Sequence, residues 1–309
     1  MRLKLGIVMS LMVGVAHANP DLSAAIENVR TTCGNISAEL TDMKKMAGIA
    51  TAVTGVGTVA GGVALGTGLA KTNVDKEIAD LEQQLEKLDA TRNLETITIS
   101  ATNLQNELNQ YQASIQTLSK SELQKQKSEA EQKSKTLGNI RTGTLATSTV
   151  ANIAGAVMSG TNKVKGDLKQ QIDECLASVK TLSNVRMQAR IDGSANDTEL
   201  ARAENIIRAC DAWTTVDVSS INNRSTGATV SAGIGAGLGL AGTITSASAN
   251  SDSVRDGDAD KEKKLNTAAN VLAGGTTAAG LSATIFNATQ ISAIKRAATV
   301  ADECEGALK

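Results

Sequence analysis

Four stretches of this 309-residue chain, Met46–Ala70, Thr142–Asn162, Ser225–Ser251 and Leu265–Ile294, contain no Asp, Glu, Lys or Arg. They are built from Gly, Ala, Thr and Ser with scattered Val, Leu and Ile. Uncharged runs of that length need a partner surface, either one another or lipid. Around them the helical period dominates. Leu22, Ile26, Val29, Cys33, Ile36, Leu40 and Met43 alternate steps of four and three, a heptad seam. Val74, Ile78, Leu81, Leu85 and Leu88 form another, as do Leu104, Leu108, Tyr111, Ile115 and Leu118. Leu168, Ile172, Cys175, Val179 and Leu182 continue the pattern. Only Thr96–Ser100 alternates like a strand, and no proline follows Pro20 to interrupt a helix. The expected class is all-α.

In an antiparallel hairpin the residue numbers of facing partners add to a constant. Placing Cys33 opposite Cys175 sets that constant at 208 and superimposes the first two uncharged stretches. Cys210 opposite Cys304 sets 514, which superimposes the other two and folds the chain at Asp256-Gly257. Cys175 opposite Cys210 gives 385, with its midpoint between Asp192 and Gly193. The expected architecture is therefore long up-down hairpins forming a four-helix bundle, with a coiled-coil overhang and one Gly/Ala-rich slab. Residues 19–192 make the first hairpin, with the arm over about 71–137, and 193–309 make the second. The slab, about 21 residues high, would measure roughly 30 Å, the thickness of a bilayer's hydrocarbon core. Asn196 with Glu199 reads as a helix-starting capping box. Ser119 with Glu122 offers a second box and a break there, whereas the register of the first hairpin puts its midpoint near Leu104.

Behind an export signal, the four cysteines Cys33, Cys175, Cys210 and Cys304 imply two disulfides. The consecutive pairs Cys33–Cys175 and Cys210–Cys304 are favoured, and a single layer also permits Cys175–Cys210 with Cys33–Cys304. No C-x-x-C spacing points to redox exchange or zinc. Within the slab, small residues recur every fourth position. Thr54, Thr58, Gly62, Gly66 and Ala70 make one ridge, and Gly227, Ser231, Gly235, Gly239 and Thr243 another. Gly155 and Gly274 belong to looser versions on the remaining two stretches. Such ridges let backbones approach closely, as small-xxx-small interfaces do in membranes. The pattern resembles the glycine-zipper stretches of exported membrane-associated proteins, a likeness of composition that carries no particular activity.

Residues 1–18 read as a cleaved export signal: Arg2 and Lys4, the apolar Leu5–Val15, then Ala16-His17-Ala18. Removing Arg2 and Lys4 leaves 29 of the 31 Lys+Arg against 32 Asp+Glu, a net charge of −3. That balance, with no basic run among aromatics, gives no pull toward nucleic acid. The one histidine, His17, leaves with the signal, taking with it His-based catalysis and His-containing metal sites. Three aromatics, Tyr111, Trp213 and Phe286, offer little to line a pocket, so no cofactor is expected. Gly55-Val-Gly57-Thr-Val-Ala60 mimics a dinucleotide fingerprint but follows a helical seam where a strand is required. The expected job is that of a non-enzymatic exported protein of the periplasm or cell envelope. It would associate with the membrane through the slab and self-associate with other helices, with a pore as the extension of that self-association and a protein partner for the arm. The rival reading is a soluble periplasmic or secreted spacer or adaptor.

Overall fold

The computed structural model describes residues 21–95, 103–255 and 257–309, without the side chains of 90–112 and 114–116. The signal segment and the Thr96–Ser100 strand candidate lie outside the described residues. Every regular element among the described residues is helical: α1 (Leu22–Cys33), α2 (Ile36–Glu95), α3 (Asn103–Thr161), α4 (Gly166–Asp192), α5 (Asp197–Asp211), a 3-10 turn at Ala212–Thr215, α6 (Val218–Ala249), α7 (Asp252–Arg255) and α8 (Ala259–Leu308). The class is all-α, a bundle of long helices. Two compact units divide it.

The first unit holds the described residues up to Asp42, Val164–Val218 and Ile294–Lys309. Its core is conventional: Leu22, Val29, Leu40, Leu168, Leu182, Ile206 and Trp213 are buried, together with all four cysteines. Two disulfides, Cys33–Cys175 and Cys210–Cys304, tie α1 to α4 and α5 to α8. Local chemistry explains the helix ends. Asn196 and Glu199 form the full capping box that starts α5. Gly193 closes α4 at φ 63°, a left-handed conformation that suits a residue without a Cβ. The seam through Cys33 is broken at Gly34, where any Cβ would stand 2.6 Å from the Arg30 carbonyl oxygen.

The second unit comprises Met43–Lys163 and Ser219–Ala293. Its four long segments, from α2, α3, α6 and α8, alternate in direction. Thr54 with Gly155, Asp75 with Ser134, Glu82 with Lys127 and Asp89 with Lys120 all add to 209, one residue from the expected 208. Gly235 with Ala279 and Gly242 with Leu272 add to 514. Thr149 with Gly239 and Thr142 with Ser246 add to 388 rather than 385. The chain leaves the helix at 162–165 and again around 212–217, so cysteine pairing and slab pairing need not share one register.

Beyond the slab α2 and α3 continue as an arm. Val74, Leu81 and Ala130 form its apolar seam, with Ile78, Leu123 and Leu137 packed against them. Lys127 pairs with Glu82 at 2.9 Å, and that hydrogen bond raises its ammonium above the usual lysine range against the opposing effect of burial. Two expectations need correcting. Ser119 and Glu122 sit inside uninterrupted α3, because continuing the helix satisfies the backbone groups a cap would serve. Leu104 lies in the first turn of α3 rather than at a fold point.

Each disulfide closes a long loop, so Cys33→Ser with Cys175→Ser should cost about 2–5 kcal/mol. Thermal unfolding followed by circular dichroism should show a lower midpoint, equal to that of the wild-type chain once both are reduced.

Candidate functional site

The heptad seam of the second unit is made of the smallest residues. Along α6 the buried positions are Ile221 and then, all small, Ser225, Ala228, Ala232, Gly235, Gly239, Gly242, Ser246 and Ala249, stepping three and four without exception. Opposite such positions each layer of the bundle accepts one larger side chain. Asn152 of α3 is fully buried among Gly57, Gly235 and Gly280, one glycine from each of the other three helices. A Cβ on Gly57 would lie 3.2 Å from the Asn152 carbonyl oxygen, and one on Gly235 would lie 2.9 Å from its amide nitrogen. Seven residues along, Leu145 occupies the centre, packed on Ala64 and Ala273 and 3.4 Å from where a Gly242 Cβ would be. Next comes Arg141, its Cδ 3.1 Å from where a Gly68 Cβ would be.

Several occupants are polar. The Asn152 amide donates to Ser148 Oγ at 3.4 Å, while its Oδ1 finds no partner among the described residues. Ser148 in turn donates to the Gly57 carbonyl at 2.6 Å. Toward one end, Ser159 donates to Asn287 at 2.9 Å and Gln290 to the Asn162 carbonyl at 2.8 Å. At the other end lies a charged network. Lys71, at 0 % exposure, donates to Asp75 and Glu262, each at 2.8 Å. Arg141, also at 0 %, donates to Ser246 at 2.8 Å, Asn266 at 2.7 Å and Asn270 at 3.2 Å. Ser134 and Asn266 complete the shell around Asp75. Two cations and two carboxylates make the cluster neutral, and they tie α2, α3 and α8 together with Ser246 of α6.

The large apolar residues point the other way. Val59 is 68 % exposed, Val150 67 %, Ile244 60 % and Val271 70 %. Val56, Val63 and Leu69 on α2, Ile153 and Val157 on α3, Val230, Ile234 and Leu240 on α6, and Leu281 and Ile285 on α8 are exposed too. The pairing sums put these residues at a common height, so they form a belt around a small and polar interior. A water-soluble bundle has the opposite polarity.

The step-of-four ridges divide accordingly. Gly155, Gly235 and Gly239 meet Thr54, Asn152 and Thr149, and Thr58 packs where a Gly280 Cβ would be. Gly62, Gly66 and Gly274 have nothing within 4 Å of a Cβ. A strict step of four advances 40° per step around a helix of about 100° per residue, so it winds off the contact line. The true α2 line is Thr54, Gly57, Gly61, Ala64, Gly68 and Lys71, stepping three and four. Sequence reasoning missed Lys71, Arg141 and Asn152. The available signal was position: the first two border uncharged stretches, and Asn152 lies near the middle of one. The tempting fingerprint is explained by packing, since Gly57 faces Asn152 while Gly55 faces open space. The chain matches no protein-family model, no curated protein and no solved structure.

Gly235→Leu should destabilise the chain by several degrees in thermal unfolding, whereas Gly62→Leu should leave the midpoint within error. Asp75→Asn combined with Glu262→Gln strips both counter-charges from buried Lys71 and should cost about 3–5 kcal/mol. Chemical unfolding in mild detergent would measure that loss.

Proposed function

We propose that this is a non-enzymatic exported protein whose four-helix slab sits in an envelope membrane. The reversed polarity of the second unit carries the reading, because backbone closeness and polar interiors build helix bundles in lipid while branched apolar residues face the acyl chains. Two segments, within Leu22–Asp89 and Asp197–Ala249, contain helices long and apolar enough to cross a membrane, with mean hydropathies of 1.6 and 1.3. Only 33 % and 28 % of those windows are buried, unlike the core helices of a water-soluble protein. Lys71 and Arg141 fit too, for cations at membrane depth face the bundle interior and pair there. The two disulfides are in keeping with an exported chain.

The α2–α3 arm then stands clear of the lipid, with a solvated Glu- and Lys-rich surface suited to a protein partner. Gly48, Gly55, Gly62 and Gly66 line the outer face of α2 with no neighbour of their own, a surface on which a second bundle could lie closely. Self-association there, with a pore among copies, is the natural extension.

Alkaline carbonate extraction of membranes from expressing bacteria tests the reading. The chain should stay in the pellet; recovery in the soluble fraction would overturn it and favour a soluble spacer.

A further inference from the structure

The two disulfides of the first unit lie side by side. The sulfurs of Cys33, Cys175 and Cys304 are all within 4.8 Å of one another, and Cys210 is bonded to the last of them. All four are buried, and each comes from a different helix, α1, α4, α8 and α5. Neighbouring contacts hold that arrangement in place. Thr32, beside Cys33, and Ser178, three residues past Cys175, share a 2.6 Å hydrogen bond between α1 and α4. Ser37 in the first turn of α2 donates its backbone N–H to Glu305, next to Cys304, at 3.1 Å. Arg186 Nε donates to the Leu200 carbonyl at 3.0 Å across the α4–α5 hairpin. Those two residues add to 386, within one of the 385 that sets Cys175 opposite Cys210.

From this four-sulfur cluster we infer an intramolecular thiol–disulfide exchange centre, in which the bridges trade partners to give Cys33–Cys304 and Cys175–Cys210 within the same fold. A small-molecule thiol starts the exchange and is returned at the end. Its thiolate attacks the Cys210 sulfur, forming a mixed disulfide there and releasing the Cys304 thiolate. Cys304 then attacks Cys33; the new S–S bond forms as the old one breaks, and the electron pair leaves on Cys175. The Cys175 thiolate attacks the mixed disulfide at Cys210, closing the second bridge and expelling the small thiolate. Two disulfides enter and two leave, so neither oxidant nor reductant is consumed. The α4–α5 hairpin makes Cys175, rather than Cys33, the sulfur placed to recapture Cys210. Burial confines the first attack to local openings of the unit. The later steps join sulfurs that the fold already holds together, so a rotation about a Cα–Cβ bond replaces a search by the unfolded chain. The result redistributes the covalent restraint, clamping α4 to α5 and α1 to α8.

Peptide mapping without reduction tests the inference, because trypsin leaves each cysteine on a peptide of its own. The oxidised full chain, folded in mild detergent, is incubated with reduced glutathione, quenched with acid and alkylated. Peptides joining Cys33 to Cys304 and Cys175 to Cys210 should appear together and in equal amounts, at the expense of the starting pairs, while the circular dichroism spectrum stays unchanged. Cys210→Ser supplies a second measurement that needs no reagent. Its Cys304 thiol should divide the remaining bridge between Cys33–Cys175 and Cys33–Cys304. A wild-type chain that keeps its pairing under thiol, or that yields all three connectivities in the proportions reached in urea, would overturn the inference. So would C210S with Cys33–Cys175 as its sole bridge. Neither result bears on the membrane reading, which the carbonate extraction tests separately.

Discussion

How near two helix backbones may come decides almost everything in the second unit. With three glycines or alanines in a layer, one side chain of moderate size fills the centre and the helices close around it. Two larger side chains in the same layer would force the backbones apart. The slab therefore works as a stack of single occupants, Asn152, Leu145 and Arg141 among them, each fitted to small residues contributed by the other helices. Beyond such occupants, most branched apolar residues of the slab find no room in layers already filled and are displaced to the outside. The polarity reversal is thus a consequence of sterics before it is a statement about lipid.

The same constraint explains why polar groups can be buried so freely. A short amide or hydroxyl in a narrow interior lies within reach of backbone and side-chain partners on several helices. Ser148 reaches the Gly57 carbonyl because no side chain intervenes. Arg141 extends past Gly68 to Asn266 and Asn270 for the same reason. A buried polar group that loses its partner is costly, so the network resists helix separation and sliding alike. The first unit solves its problem differently, with a conventional apolar core and covalent bridges.

Much of the architecture was legible in the residues. Pairing sums of 208 and 514, drawn from cysteine positions alone, lie within one residue of the contacts that build the slab. The capping box at Asn196 and the Gly193 turn were readable because each depends on a few adjacent residues. Which face turned inward was harder to read. Glycine occurs on both sides of α2, Gly57 inside and Gly62 outside, so composition could not separate contact line from surface. The step-of-four ridge captured some contacts and drifted off the rest. The occupants were invisible for a related reason: an asparagine inside an uncharged run, or an arginine at its edge, reads as solvent-facing until the small residues of the facing helices are seen around it.

The bridges carry a topological corollary. Cys33 and Cys175 flank the whole excursion through α2 and α3, and Cys210 and Cys304 flank the excursion through α6 and α8. Each hairpin is consequently a closed covalent ring. One protease cut in either ring, or one in each, opens it without detaching any fragment, and the pieces part only after reduction.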